Sequence, residues 1–258
     1  AVCRLRGRHW PAVMREGPLK RFLLAGLFSA REVAGAIRQA TGPAGFRGQT
    51  IDYDGYWRER GAGGMHPRFA IIASGVRAGE SVLDVGCGNG ALLQHLKTTR
   101  QIRERGVDVS ETGVALARAA GLDARVGLLG APGTVEPAEM FDHVVLTEVI
   151  EHVADAEALL VQVWSHTRRT LWVTFPNIAY FPHRWRLAFG RFPIQWVLFP
   201  GEHLRFWSLP DFREWAVGAG LPEPSVLPSN GIVLGSLHRL WPNLFANQIV
   251  MRFDRPSA

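Results

Sequence analysis

Ser81-Val-Leu-Asp-Val-Gly-Cys-Gly-Asn-Gly90, continued by Ala91-Leu-Leu-Gln-His-Leu96, decides how this chain is read. Apolar residues broken by one acid run into three glycines at alternate positions, and an apolar pattern at helical spacing follows at once. That order spells a buried strand, a tight turn and a helix N-terminus. Gly86, Gly88 and Gly90 carry no β-carbon, so the turn can adopt positive φ and bring its backbone close to a flat ligand. In an open α/β sheet, a nucleotide-like ligand at the strand's carboxyl end is the default reading of such a turn.

With Ala91 in the last place the turn also fits the loose dinucleotide pattern G-x-G-x-x-G/A, a weak signal by itself. Asp84 argues against it, because a carboxylate two residues before the first glycine suits a cationic ligand better than a pyrophosphate. Asp108, in Gly106-Val-Asp-Val-Ser-Glu111, ends the next apolar segment and can accept from two ribose hydroxyls. Together Leu83–Gly90 and Gly106–Ser110 resemble the first two motifs of class I S-adenosylmethionine (SAM) methyltransferases. The resemblance implies an α/β, Rossmann-like fold with a mostly parallel seven-stranded sheet flanked by helices, and SAM as cofactor. It implies that Asp84, Gly86, Cys87 and Gly88 surround the methionine part, and that Asp108 and Val109 hold the ribose. Leu128 and Thr147 complete the cofactor set. The bland alternative, a turn that merely closes a strand–helix unit, is hard to square with two matching motifs in the right order.

Around this centre the elements follow one another. Tyr53, Tyr56 and Trp57 precede a flexible Gly61-Ala-Gly-Gly64, and either fold over the cofactor or pack on the sheet. Pro67 to Val76 has helical apolar spacing. Ser110 caps a helix through Ala120, stopped by Gly121, and Ala124–Leu129 is expected as a third strand. Many class I relatives place a polar residue after this strand for the adenine. This chain has Gly127-Leu-Leu-Gly130, so Leu128 and Leu129 are expected to offer apolar and backbone contacts.

Phe141–Thr147 is a fourth buried strand, delivering Glu148-Val-Ile-Glu-His152 at its carboxyl end. One reading has Glu151 and His152 tie down the loop before a helix beginning near Asp155. The other is an acid/base or hard-cation site. E-x-x-E-H resembles the pattern of ubiquinone-type O-methyltransferases and small-RNA 2′-O-methyltransferases. In those families it implies a divalent ion that polarises the acceptor hydroxyl, with a later histidine that His203 would supply. E-H at this point is widespread among class I methyltransferases with no metal implied, so a structural or general-base role for Glu148 or His152 is preferred, with His203 and Arg205 shaping the acceptor side, and any metal set is left unknown.

Thr170–Asn177 is the expected fifth strand, and residues 176–209 form an insertion rich in aromatic residues and arginine, with Glu202 its single acid. Such a segment serves base stacking, an apolar acceptor pocket with an anion clamp, a partner interface or a membrane-facing lid. The even charge elsewhere weighs against extended nucleic-acid binding. Phe175-Pro-Asn177, Arg184–Pro193, His203-Leu-Arg205 and Asp211-Phe212 resemble the methionine-biosynthesis MetW family over residues 65–220, leaving the tail beyond Leu221 outside. Ser208 caps a helix through Ala219, and Asn247–Phe253 is a late strand of the reversed final hairpin that the fold requires.

The 258 residues, 47% apolar, suffice for one full core plus additions. Residues 1–50 carry nine Lys/Arg and two Glu, whereas the rest is nearly neutral. This divides the chain into a basic amphipathic extension and linker, 1–50, and a SAM-binding domain, 51–258. Leu19 to Ile37 follow helical spacing, and Ser29-Ala-Arg-Glu32 is a capping-box pattern. The extension is read as a cap on the domain, or else as a surface for an anionic membrane or a protein partner. A signal-peptide reading of Lys20–Ala30 is set aside, since its charged region would lie deep inside the chain. Cys3 and Cys87 give no disulfide framework and no apolar run spans a bilayer, which fits a cytoplasmic protein, with association to a membrane as an addition. The expected reaction moves methyl from SAM to an oxygen, or less readily a nitrogen, of a small-molecule or lipid-linked acceptor. Two alternatives stand beside it: a MetW-like SAM-binding partner that regulates an acyltransferase, and a metal-assisted RNA or catechol-type O-methyltransferase.

Overall fold

The computed structural model describes residues 34–43, 45, 48, 51–197, 199–231 and 236–256. Most of the extension's helical pattern, including the capping box at 29–32, therefore lies outside the described residues. Its last part, 34–41, is helical (α1). Then come α2 (Tyr53–Arg60), α3 (Pro67–Ser74), β1 (Ser81–Val85), α4 (Ala91–Arg100), β2 (Arg103–Asp108), α5 (Glu111–Ala119), β3 (Ala124–Val126) and β4 (Phe141–Thr147). A 3₁₀ turn at Ile150–His152 leads to α6 (Ala156–Ser165) and β5 (Thr167–Pro176). The insertion holds α7 (Phe181–Ala188) and α8 (Ile194–Val197), and the chain ends with α9 (Leu209–Gly218), β6 (Ser225–Gly231), α10 (Leu237–Leu240), α11 (Pro242–Phe245) and β7 (Ala246–Asp254).

The seven strands form one sheet in the order β3-β2-β1-β4-β5-β7-β6, parallel except for β7, which runs antiparallel to both of its neighbours. Alternation along the central strands builds two cores. Leu83, Val144, Val173 and Phe175 face α6 and α9, while Val82, Val145 and Trp172 face α3, α4 and α5. Both faces are covered, which is why β1 reads as an almost unbroken apolar run. Helix starts follow their capping residues: Ser110 Oγ accepts from Gly113 N–H, Asp155 from Ala158 N–H and Ser208 from Asp211 N–H.

Differences from expectation sit at edges. The third strand ends at Val126, because Gly127 (φ +141°) turns the chain out of the sheet before Leu128. The fifth begins three residues early, at Thr167. β6 carried no clear signal: Pro228 lies within it, and the pairing with β7 shifts register on either side of Asn230, as an edge strand tolerates. Among the described residues no helix is long and apolar enough to cross a membrane.

Candidate active site

The carboxyl ends of β1, β2 and β4 open into a cavity of about 780 Å³, walled on its far side by α2 and the first turn of α3. Its size falls within the roughly 300–1,000 Å³ of small-molecule sites. Gly86 and Gly90 take φ +79° and +75°. A β-carbon on Gly86 would lie 2.3 Å from Val149 Cγ2, and one on Gly88 2.0 Å from the Trp57 indole. The glycines thus admit side chains from β4's loop and from α2 as well as any ligand. Gly88 is covered by Trp57, and its N–H donates to Asp108 Oδ2 at 2.7 Å. Asp108 Oδ1 accepts from Ser110 N–H at 2.8 Å, which fixes the carboxylate plane at the cavity wall.

Asp84 is 1% exposed and its Oδ1 has no hydrogen-bond partner among the described residues. Burial, and then the neighbouring Asp108 charge, raise its pKa to about 7, while Arg68 opposes the shift. Burial also raises Asp108, against three backbone donors. Cys87 lines the cavity, but its Sγ fills the space beside Gly106 and burial lifts its thiol well above the ordinary range, as expected of a packing residue. Val109, Gly127, Leu128, Leu129 and Thr147 also line the cavity, so the expected cofactor set converges apart from Gly88, which is screened.

The second half of the site comes from the chain after β4. Glu148 holds a left-handed conformation (φ +57°), sparsely populated for a non-glycine residue. Its Oε1 accepts from Thr174 Oγ1 at 2.7 Å and its Oε2 from Gln248 Nε2 at 2.9 Å. Glu151 is 1% exposed with neither oxygen hydrogen-bonded among the described residues, and burial next to Glu148 pushes its pKa well up. His152 Nδ1 lies 3.0 Å from the Glu202 carbonyl, to which it can only donate, so the neutral ring keeps a lone pair on Nε2. Burial lowers His152 and, with His152 beside it, drops His203 to about 3. The two rings sit 4.5 Å apart, and donor atoms of Glu151, His152 and His203 all lie within 4.8 Å of one another. Glu148 is not in that group.

Several lining residues went unnoticed in the sequence. Arg68, on α3, is half-buried in the cavity among Asp84, Glu148 and Glu151, with Nε unpartnered among the described residues and Nη1 donating to Gln248 Oε1 at 3.3 Å. Gln248, on β7, therefore links Arg68 to Glu148. Gln162, on α6, lines the pocket and donates to the Leu129 carbonyl. None sits in a local motif, since their partners lie tens to hundreds of residues away. The aromatic segment before β1 does reach the site: Asp54 Oδ1 accepts from Ser110 Oγ and Thr112 N–H, pinning α2 to α5 and turning Tyr53, Tyr56 and Trp57 into the cavity.

The family model described as methionine biosynthesis protein MetW matches residues 66–253. Over 157 residues the chain is 29% identical to the bifunctional methionine biosynthesis protein MetXA/MetW of Rhodopirellula baltica, covering 54% of this chain and 24% of that protein. It thus spans about a quarter of that relative. It is 27% identical over 181 residues to a ubiquinone biosynthesis O-methyltransferase of Pseudomonas fluorescens, covering 67% of this chain and 78% of that one. A SAM-dependent methyltransferase of Archaeoglobus fulgidus superposes with a TM-score of 0.56 at 15% identity, over 80% of this chain and 100% of that one. The family match runs through β6 and β7, which corrects the expectation that the tail beyond Leu221 lies outside the resemblance. The chain belongs to the MetW family and has the fold of SAM-dependent methyltransferases.

Proposed function

We propose that this SAM-dependent methyltransferase transfers methyl to an oxygen of a small-molecule or lipid-linked acceptor, with His152 as general base. Asp84 would hold the ammonium of the methionine part and Arg68 its carboxylate, while each oxygen of Asp108, already accepting one backbone N–H, keeps a second lone pair for a ribose hydroxyl. The sulfonium is an activated donor, so the protein's task is alignment in a dry pocket. As the S–CH₃ bond breaks and the O–CH₃ bond forms, the acceptor's proton passes to His152 Nε2. The observation that carries this reading is the neutral imidazole, held by Glu202 through Nδ1 and kept unprotonated by burial, in the same cavity as Asp84 and Asp108. The ubiquinone O-methyltransferase relatives favour oxygen over nitrogen.

A second reading places a divalent cation on Glu151, His152 and His203, whose donor atoms cluster and several of which lack partners among the described residues. Titration calorimetry with S-adenosylhomocysteine, with and without a chelator, separates the two. The first reading expects micromolar binding indifferent to chelation, and a His152→Ala variant with unchanged affinity but turnover of methyl-labelled SAM onto phenolic acceptors reduced about 10²–10⁴-fold. A melting temperature raised by magnesium or zinc and lost with His203→Ala supports the second. No binding of S-adenosylhomocysteine under either condition overturns both, and would return the chain to the role of a binding partner for an acyltransferase.

A further inference from the structure

We propose that the outward face of α7 and the loop after it form a docking surface for an anionic lipid bilayer. Phe181, Trp185 and Phe189 recur every four residues along α7, so they lie on one stripe, with ring centroids 6.3 Å and then 4.8 Å apart. The opposite side of the helix is where Pro182, His183 and Arg186 are buried. The stripe is open to solvent: Phe189 is 65% exposed, Trp185 45% and Phe181 43%, with Phe192 and Phe206 similarly exposed beyond the helix. An isolated exposed phenylalanine is ordinary, whereas a row of them marks an interaction surface.

Charge identifies the partner. Arg184 and Arg191 flank the stripe in the open, and residues 178–201 contain no Asp or Glu. The same holds for residues 224–253, whose exposed Leu240 and Trp241 precede Asn243, the carbonyl partner of Arg184. Exposed Trp and Phe among arginines, in segments 178–201 and 224–253 that carry no acid, match a headgroup–acyl boundary of negative charge. The extension adds to this. Residues 1–33 carry seven Lys or Arg against two Glu, and they lead into α1, which Arg186 ties to α7 by donating to the Gly42 carbonyl at 2.8 Å. The patch also connects inward: Phe192 and Phe206 touch Trp196, and Trp196 lies 6.0 Å from His203 at the cavity wall. An apolar acceptor reaching the site from a membrane would meet aromatic surface along that line, a consequence that rests on the methyltransferase reading, whereas docking itself does not.

Flotation of the full chain with vesicles of phosphatidylcholine alone, or mixed equally with phosphatidylglycerol, tests the surface. Binding is expected only to the mixed vesicles and weakens with salt. Trp185→Ser/Phe189→Ser should lower the partition coefficient roughly tenfold or more, and Arg184→Glu/Arg191→Glu by about tenfold. S-adenosylhomocysteine affinity and near-ultraviolet circular dichroism, measured on the same samples, report folding and the methyl-transfer reading independently. Absent vesicle binding overturns the proposal. So does a folded Trp185→Ser/Phe189→Ser variant that partitions like the parent, since residues 1–33 would then account for binding by themselves. A dimer that these substitutions convert to monomer would assign the stripe to a second copy instead.

Discussion

At the scale of single residues, two titrating groups make the site and its support testable. Asp84, with a pKa near 7, is about half protonated at neutral pH before ligand binds. An ammonium against it favours the carboxylate, so binding of S-adenosylhomocysteine should release about half a proton at pH 7, and affinity should rise from about pH 6 to pH 8. Calorimetry in buffers of different ionisation enthalpy reads that number directly, and zero release would remove Asp84 from the ammonium. His183 gives a stability prediction. Its Nδ1 donates to the Asn177 carbonyl, its ring packs on Trp196, and burial lowers its pKa from 6.5 to about 4. The unfolded chain therefore takes up this proton before the folded one does. Full stability is present above about pH 6.5 and falls by about 3 kcal/mol as pH drops to about 4. Urea melts at about pH 7 and pH 5 should show the slope, and His183→Gln should flatten it.

At the scale of elements, the turn after β1 is the most constrained piece. Gly86→Ala must place a methyl at φ +79° and 2.3 Å from Val149 Cγ2. The left-handed cost and the forced repacking together predict a loss of about 2–4 kcal/mol, with S-adenosylhomocysteine affinity falling alongside; chemical denaturation and calorimetry check both. On the other face, Phe212 of α9 stacks on Phe175 of β5 with centroids 4.1 Å apart, both fully buried. Phe212→Ala should cost about 3–5 kcal/mol while leaving the ligand affinity of the folded fraction intact, because α9 packs away from the cavity.

At the scale of the whole molecule, the site joins residues from both ends of the sheet-forming chain. Gln248 on β7 accepts from Arg68 on α3 and donates to Glu148 after β4. β7 also pairs with β5 from Thr170 to Pro176 and sends Ile249, Met251 and Phe253 into one core and Val250 into the other. A chain ending after Leu221 should therefore lack a cooperative thermal transition, as circular dichroism melting would show. A cooperative melt in that fragment would mean that five parallel strands suffice.

The amino-acid sequence by itself determined the α/β class, the central strands and the glycine turn. These are set by local rules: a two-residue alternation filling both cores, helix caps one residue before their helices, and glycines where φ is positive. β4 falls at Phe141–Thr147 as its pattern predicts, and Asp84, Asp108 and the run from Glu148 to His152 emerge at strand ends because the chain's order places them there. Only the tertiary structure decided which distant groups complete the site. Arg68, Gln248, Thr174 and Gln162 carry no local signature, and the pairing of His152 with His203 bridges α6, β5 and much of the insertion. The shifted pKa values of Asp84 and His203 belong to this level too, since desolvation follows from what packs against a group and not from its neighbours in sequence.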